Sequence, residues 1–387
     1  MNVRMCIVDK TQKEESSSRL SLRSTTLERP QPRLPGSASS RRKKMAIILP
    51  KVSYEGVAKV GLFQANILKT HWHHDVEVIS LIKEKQKFKE LLDNLTVRYA
   101  FSIEVLSRIL YDISVRFMKL ESDLIIGHNI PGAVVSWRIS EKNGSPYVAY
   151  IHDAEFKRIP GSLPQFGDDK IRKALSKAKS IFTNSMKTLE ELKREYKVDG
   201  VPLYPGCVPA ELVNEKRSDF FLFVHFISPR GSFDFLAKLL EKEDFNLVIA
   251  GGRRWGWRKV LHSYEKFGDR VRFVFEPTER ELFQLYQQAK GLIFPEMENF
   301  GLSPLEAAAC GCPSMAAEGS GVLEILENGK EIMAFDEGNT DEFCEAIQLL
   351  KRDEQYARKL GKNAWKKARE YSWDMHVSKL AHNIETF

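Results

Sequence analysis

The stretch from Pro295 to Pro313, PEMENFGLSPLEAAACGCP, holds two glutamates eight positions apart, Glu298 and Glu306. Ser303 and Pro304 have the character of an N-cap and a first helical residue. Glu306, three residues after Ser303, would then complete a Ser-x-x-Glu capping box, a role that spends its carboxylate on backbone alone. Glu298 precedes the helix, on the loop that follows the apolar run GLIFP. The first-turn N–H groups near Leu302 to Leu305, Pro304 excepted, are unpaired donors that suit a phosphate. A carboxylate beside an anion repels it, so Glu298 is expected to meet a neutral, hydroxyl-rich part of a ligand. A sugar nucleotide offers both parts. A solvated loop glutamate is the competing reading.

These residues need a scaffold, and the chain supplies one from Met45 onward. Short apolar runs (MAIILP, VEVISL, DLIIGH, PYVAYIH, SIFTN) alternate with segments of helical spacing (VAKVGLFQANILK, KEKQKFKELLDNL, IEVLSRILYDISVRFMKL, GAVVSWRISEKN, KIRKALSKA, MKTLEELKREY). That alternation predicts βαβ units around a parallel sheet. Residues 201–219, VPLYPGCVPAELVNEKRSD, break the rhythm and read as a linker between domains. The alternation then restarts with FFLFVHFI, FDFLAKLLEKE, NLVIAGG, VRFVF, ERELFQLYQQA, GLIFP, PLEAAAC, CPSMAA, a helix at GVLEILEN and EIMAF. Helices near 340–351 and 353–370 and a last one at SWDMHVSKLAHNIE complete the chain. The expected fold class is α/β, two doubly wound Rossmann-like domains in tandem. Ligands bind such sheets at the carboxyl ends of their strands, here the cleft between the domains.

Composition narrows the function classes. The net charge of +7 resides in residues 1–44, where eleven Lys/Arg face four Asp/Glu; the other 343 residues carry 48 of each sign. A neutral body argues against a large nucleic-acid footprint. The basic, Ser- and Pro-rich tail lacks apolar periodicity and reads as a disordered arm, a targeting peptide or non-native sequence ahead of a start at Met45. No apolar run reaches the length of a spanning helix. Five cysteines without a Cys-x-x-Cys pair fit a reducing compartment. A cytoplasmic location, with peripheral contact at a membrane face, is the expectation.

The segment EMENFGLSPLEAAACGCP resembles the Glu-x7-Glu signature of the retaining nucleotide-sugar glycosyltransferases of group 1 (glycosyltransferase family 4-like), which have the GT-B fold. Phe300, Gly301 and Leu302 match the Phe-Gly-Leu of that signature, and YSWDMHVSKL matches its closing Ser-Trp helix. The resemblance implies an acceptor domain at 45–207 and a donor domain at 208–370. It also implies a C-terminal helix, 371–387, that packs back towards the first domain. It implies that Glu298 holds donor-sugar hydroxyls, that Glu306 holds the nucleotide ribose, and that backbone around Phe300 to Leu302 touches sugar and diphosphate. The family's Arg and Lys after the first strand of the donor domain are replaced here by His225 and Arg230. Arg230 can supply the charge and a bidentate fork; His225 is mostly neutral at pH 7 and substitutes less well. His152, in YIHDAEF, matches a histidine that contacts the donor sugar. Gly56, in SYEGVAKV, stands where the family has a glycine-rich loop before its first helix.

The implied reaction is glycosyl transfer from a nucleoside-diphosphate sugar to a glycan, lipid-linked or small-molecule acceptor, with retention. No cofactor and no metal are expected. The run His71–His74 lacks ligand spacing, and no Asp-x-Asp occurs. GGRRWGWRK (Gly251–Lys259) reads as a solvated basic loop or a base-stacking surface. GSGVLE lacks the third glycine of a dinucleotide fingerprint. The long segment 103–120 has an apolar face flanked by Arg108, Arg116 and Lys119, which reads as core or as a membrane-surface patch. Two rivals remain: another GT-B enzyme, an epimerase or phosphorylase, and a non-catalytic sugar-nucleotide binder.

Overall fold

The computed structural model describes residues 7–8, 42–52, 56–82, 92, 94–100, 120–155, 166–212 and 217–385. The segment 103–119, and with it the proposed membrane patch, lies outside the described residues, as do most of KEKQKFKELLDNL and all of the tail but residues 7–8 and 42–44.

The first domain is built on β2 (Lys44–Lys51), β3 (Asp75–Ile82), β4 (Thr96–Tyr99), β5 (Leu124–His128), β6 (Tyr147–Ile151), β7 (Ile181–Thr183) and β8 (Val201–Pro202). They form one parallel sheet in the order β4-β3-β2-β5-β6-β7-β8. Its described helices are α1 (Gly56–Thr70), α2 (Asn129–Asn143), α3 (Asp168–Ser176) and α4 (Met186–Tyr196). β5 and β6 are buried along their whole length. That is why they read as continuous apolar runs: a parallel sheet is covered on both faces. Packed clusters lie on the two faces of this sheet, one around Ile48, Ile125 and Ala149, the other around Ile47, Ile126 and Val148.

The second sheet has the order β1-β11-β10-β9-β12-β13-β14, also parallel throughout. Its strands are β9 (Phe221–Val224), β10 (Leu247–Gly251), β11 (Val271–Phe275), β12 (Gly291–Phe294), β13 (Ser314–Ala317) and β14 (Met333–Phe335), with Ile7–Val8 (β1) added beside β11. Its helices are α5 (Phe233–Lys242), α6 (Trp257–Tyr264), α7 (Glu279–Gln288), α8 (Leu302–Ala309), α9 (Thr340–Arg352) and α10 (Glu354–Ala368). α11 (Trp373–Ile384) belongs by contact to the first domain: Trp373 stacks on Phe63 of α1, ring centroids 4.5 Å apart and 6° from parallel.

Three expectations are corrected. The linker begins later than residue 201, because Val201–Pro202 close the first sheet beside β7. The segment GVLEILEN forms only a short 3₁₀ turn, Gly321–Glu324, with Gly321 pressed against the Asn299 carbonyl. The basic loop GGRRWGWRK turns helical at Trp257, behind a left-handed Gly256 (φ 83°) that the pattern gave no reason to place there.

The two crossings between domains run side by side. Cys207 N–H donates to the Tyr371 carbonyl at 2.8 Å, and Trp373 N–H to the Cys207 carbonyl at 3.2 Å.

Candidate functional site in the interdomain cleft

In the second sheet the strand order reverses at β9, between β10 and β12. Doubly wound sheets leave a crevice at that point. The loops after β9 and β12 carry His225, Arg230, Glu296 and Glu298. His225 Nε2 lies 3.4 Å from a Glu296 carboxylate oxygen. The other Glu296 oxygen accepts the N–H of Ser232, the residue before α5. Ligand atoms of His225, Glu296 and Glu298 all lie within 4.8 Å of one another, the one group among the described residues whose ligand atoms converge as a cation would require. Glu296 is already engaged on both oxygens, by His225 within that trio and by the Ser232 N–H outside it. Burial pushes the Glu298 carboxyl up, opposed by His225 and Lys187 and reinforced by Glu296. Desolvation near a second carboxylate explains the direction.

α8 begins two residues earlier than the sequence pattern implied. Its N-cap is Gly301, at φ 98°, a left-handed conformation that glycine adopts without a Cβ penalty. Leu302, not Pro304, is the first helical residue, and no side chain caps the helix. The Ser303–Glu306 capping box is therefore not formed. Glu306 instead turns outward to Lys59 of the first domain: Lys59 Nζ lies 2.5 Å from Glu306 and 2.6 Å from Glu279, at the start of α7. The Tyr286 hydroxyl donates to the other Glu306 oxygen at 3.1 Å. Burial works to lower the Lys59 pKa, yet the two carboxylates outweigh it and hold the ammonium above its ordinary value. Burial raises Glu306, with Lys59 opposing.

This triad spans the cleft, and removing its cation would leave two acidic groups facing each other. Lys59→Met is expected to destabilise the protein by about 3 kcal/mol, the lower end for breaking a buried pair, since Glu279 retains some solvent. Urea unfolding measures it, and adding Glu306→Gln to Lys59→Met should recover part of the loss.

Other bridges cross the same cleft. The N-terminal N–H groups of Met186 and Lys187 donate to the Glu324 carboxylate at 2.7 and 2.9 Å, an anion on a helix N-terminus. Lys187 Nζ donates to the carbonyls of Gly319 (3.1 Å) and Glu298 (3.5 Å). Asn299 Nδ2 donates to the His152 carbonyl at 3.3 Å. Thus the loop bearing Glu298 touches the residue that bears the first domain's candidate imidazole.

His152 follows β6 and is buried, its ring Nε2 3.0 Å from His128 Nδ1. Gly56 opens α1, and a Cβ there would stand 2.9 Å from Leu302 Cδ1, so the two helix starts approach each other at that glycine. Phe300 is buried, while Arg230 is exposed and no described residue pairs with its guanidinium. The structure thus gathers His225 and Glu298, links His152 to the Glu298 loop through Asn299, and brings Gly56 against Leu302. Glu306 lies at the cleft through Lys59.

Sequence reasoning missed Lys59, Glu279, Tyr286, Lys187, Glu296 and Glu324. All act across long stretches of chain. Only Lys59 left a signal: a lysine three residues into an otherwise apolar helix start. Of the run HWHH, His71 pairs with Asp374 at 2.8 Å and His74 accepts from the Lys43 N–H at 3.3 Å.

Residues 209–367 match the family model for glycosyl transferases group 1. Over 86% of its length the chain is 22% identical to an uncharacterized glycosyltransferase of Methanocaldococcus jannaschii, covering 96% of that protein. It is 32% identical over 301 residues to a D-inositol 3-phosphate glycosyltransferase of Streptomyces bingchenggensis, covering 67% of this chain and 65% of that one. Among solved structures it is similar to a sucrose-phosphate synthase from Thermosynechococcus elongatus (TM-score 0.73, 16% identity, 88% of this chain and 98% of that one). It is also similar to Anabaena HepE in complex with UDP and glucose (TM-score 0.70, 18% identity, 89% and 100%). Residues 209–367 are therefore a group 1 glycosyl transferase domain, set in a chain with the two-domain GT-B fold.

Proposed function

We propose that this chain transfers a sugar from a nucleoside-diphosphate sugar to a glycan, lipid-linked or small-molecule acceptor, with the anomeric configuration retained. The observation that carries the reading is the convergence of Glu298 and His225 at the reversal point of the second sheet. There Asn299, next to Glu298, touches the His152 carbonyl across the cleft. Glu298 takes hydroxyls of the donor sugar, and Glu306, pre-oriented by Lys59 and Tyr286, takes the ribose. Arg230 and the uncapped start of α8 meet the diphosphate, so charge that develops on the leaving group finds a cation and unpaired N–H groups. The diphosphate oxygen accepts the acceptor proton as the sugar–oxygen bond opens, and the acceptor attacks from the same face. Peripheral membrane contact would fit a lipid-linked acceptor; no described helix is long and apolar enough to cross a membrane.

A thermal-shift panel of UDP-, GDP- and ADP-sugars tests the donor assignment. At a hundred times its Kd, the cognate donor is expected to stabilise the protein by about 2.7 kcal/mol. A flat response across the panel at millimolar concentration would sink the assignment.

A further inference from the structure

Behind His152 the first domain buries an unbroken line of hydrogen bonds. His152 Nε2 meets His128 Nδ1 at 3.0 Å. His128 Nε2 meets Gln64 Oε1 at 2.9 Å. Gln64 Nε2 meets His376 Nε2 at 2.9 Å, and His376 Nδ1 meets the Tyr204 carbonyl at 2.8 Å. Four segments contribute: the ends of β5 and β6, the middle of α1, and α11. All four side-chain bearers are buried, at 7% exposure or less. Gly61 makes the approach feasible, because a Cβ there would crowd His128 Nε2 at 3.3 Å and Leu49 at 2.5 Å.

The direction of every bond follows from one end. A carbonyl only accepts, so His376 Nδ1 carries a proton. If His376 is neutral, its Nε2 is an acceptor, and the Gln64 amide must present N–H₂ to it. Gln64 then presents its oxygen to His128, so His128 is protonated at Nε2 and accepts at Nδ1. His152 must therefore donate from Nε2, which leaves its Nδ1 as a bare lone pair. The reversed chain needs Gln64 flipped and His376 protonated on both nitrogens, a buried cation. Burial opposes that strongly: it pushes His376 down to about 4 and His128 to about 3, with His152 well below its ordinary value.

We propose that Gln64, His128 and His376 are positioning residues that fix His152 in its Nε2–H tautomer, so that it offers the cleft a hydrogen-bond acceptor at Nδ1 and no donor. Nδ1 is the one ring nitrogen of the line with no partner among the described residues. It can accept from a hydroxyl and cannot donate to a carboxylate or a carbonyl. The site would then select a donor sugar with a hydroxyl at that place over one with a carboxylate or a hydrogen. This rests on reading His152 as a donor-sugar contact, but the tautomers themselves do not.

Selective ¹⁵N-histidine labelling of the full chain tests it, with NMR reading the protonation of each ring nitrogen between pH 6 and 8. The expected pattern is Nε2–H for His128 and His152, Nδ1–H for His376, and no imidazolium among the three. Gln64→Glu supplies two acceptor oxygens, so His376 should become doubly protonated while His128 and His152 keep their tautomer. Gln64→Leu should release His128 and His152 into mixed tautomers. It should also lower turnover of UDP-glucose, UDP-galactose or GDP-mannose about tenfold, the worth of one directed hydrogen bond. Affinity for UDP or GDP alone should not change. Nδ1–H on His152 in the wild type, or unchanged tautomers in Gln64→Leu with the fold intact, overturns the proposal. A wild type with the stated tautomers that turns over none of the three sugars contradicts the donor reading and leaves the relay standing.

Discussion

Arg230→Ala is expected to lower sugar-transfer turnover by about 10²–10³-fold, the cost of removing one donor aimed at developing negative charge. Arg230 sits five residues after His225 on the loop that follows β9, beside the reversal point of the second sheet. Its backbone is held locally, with Ser228 Oγ donating to the Arg230 carbonyl at 2.9 Å. Its side chain is exposed, and no described residue pairs with it. An exposed guanidinium with no partner among the described residues, on a loop at the carboxyl end of the second sheet, can take a ligand's anion, and its fork matches a diphosphate. Because it is exposed, its removal should change stability by no more than about 0.5 kcal/mol. Steady-state kinetics with the cognate donor reads the effect, and Arg230→Lys should recover part of it. Near-wild-type turnover in Arg230→Ala would take the residue out of the mechanism.

The second large effect is acid sensitivity. In the unfolded chain His128 and His376 titrate near 6.5, whereas burial lowers them to about 3 and about 4 in the fold. Their depressed values mean that below pH 6.5 the unfolded chain binds protons the native state refuses. Stability is therefore full above pH 6.5 and falls as the pH drops towards 4. Each such histidine contributes a slope of about 1.4 kcal/mol per pH unit in that window. Because each is already half protonated in the unfolded chain at pH 6.5, the two together cost about 3 kcal/mol between pH 6.5 and 5, and His152 shifts in the same direction. Glu298 and Glu306 act oppositely, since their raised values favour the folded state as they protonate. The contrast with a variant isolates the effect. His128→Asn keeps a donor and an acceptor but does not titrate, so urea unfolding of that variant between pH 6.5 and 5 should be flatter by about 1.4 kcal/mol per unit. Parallel curves for wild type and variant would contradict a neutral buried His128.

The sequence made the sheets legible because their strands are buried on both faces and stand apart as short apolar runs. β4 escaped because TVRY is half-exposed and too short to show a period. The capping box at Ser303 and Glu306 was a sound local pattern defeated by two things: Gly301 already begins the helix, and a lysine nearly 250 positions earlier claims the carboxylate. The same limit hid Glu324, which caps α4 from the other domain. Local spacing reports caps within a helix; it carries no information about which distant element will arrive. The residues that match a known signature could be named as candidates from the chain alone, whereas the cationic and amide groups that contact them became visible only with the cleft assembled. His225 is a further case: its partner, Glu296, lies in the quoted stretch but gave no local reason to be paired.

In the proposed complex an activated sugar lies in the cleft with Glu298 on its hydroxyls and Arg230 on its diphosphate. The most direct measurement is a crystal structure of the chain with the nucleotide sugar that stabilises it best. The expected result is a Glu298 carboxylate oxygen within hydrogen-bonding reach of a sugar hydroxyl, with Arg230 and the α8 start on the phosphates. A nucleotide sugar bound elsewhere, or one in the cleft with Glu298 turned away from the sugar, would contradict it.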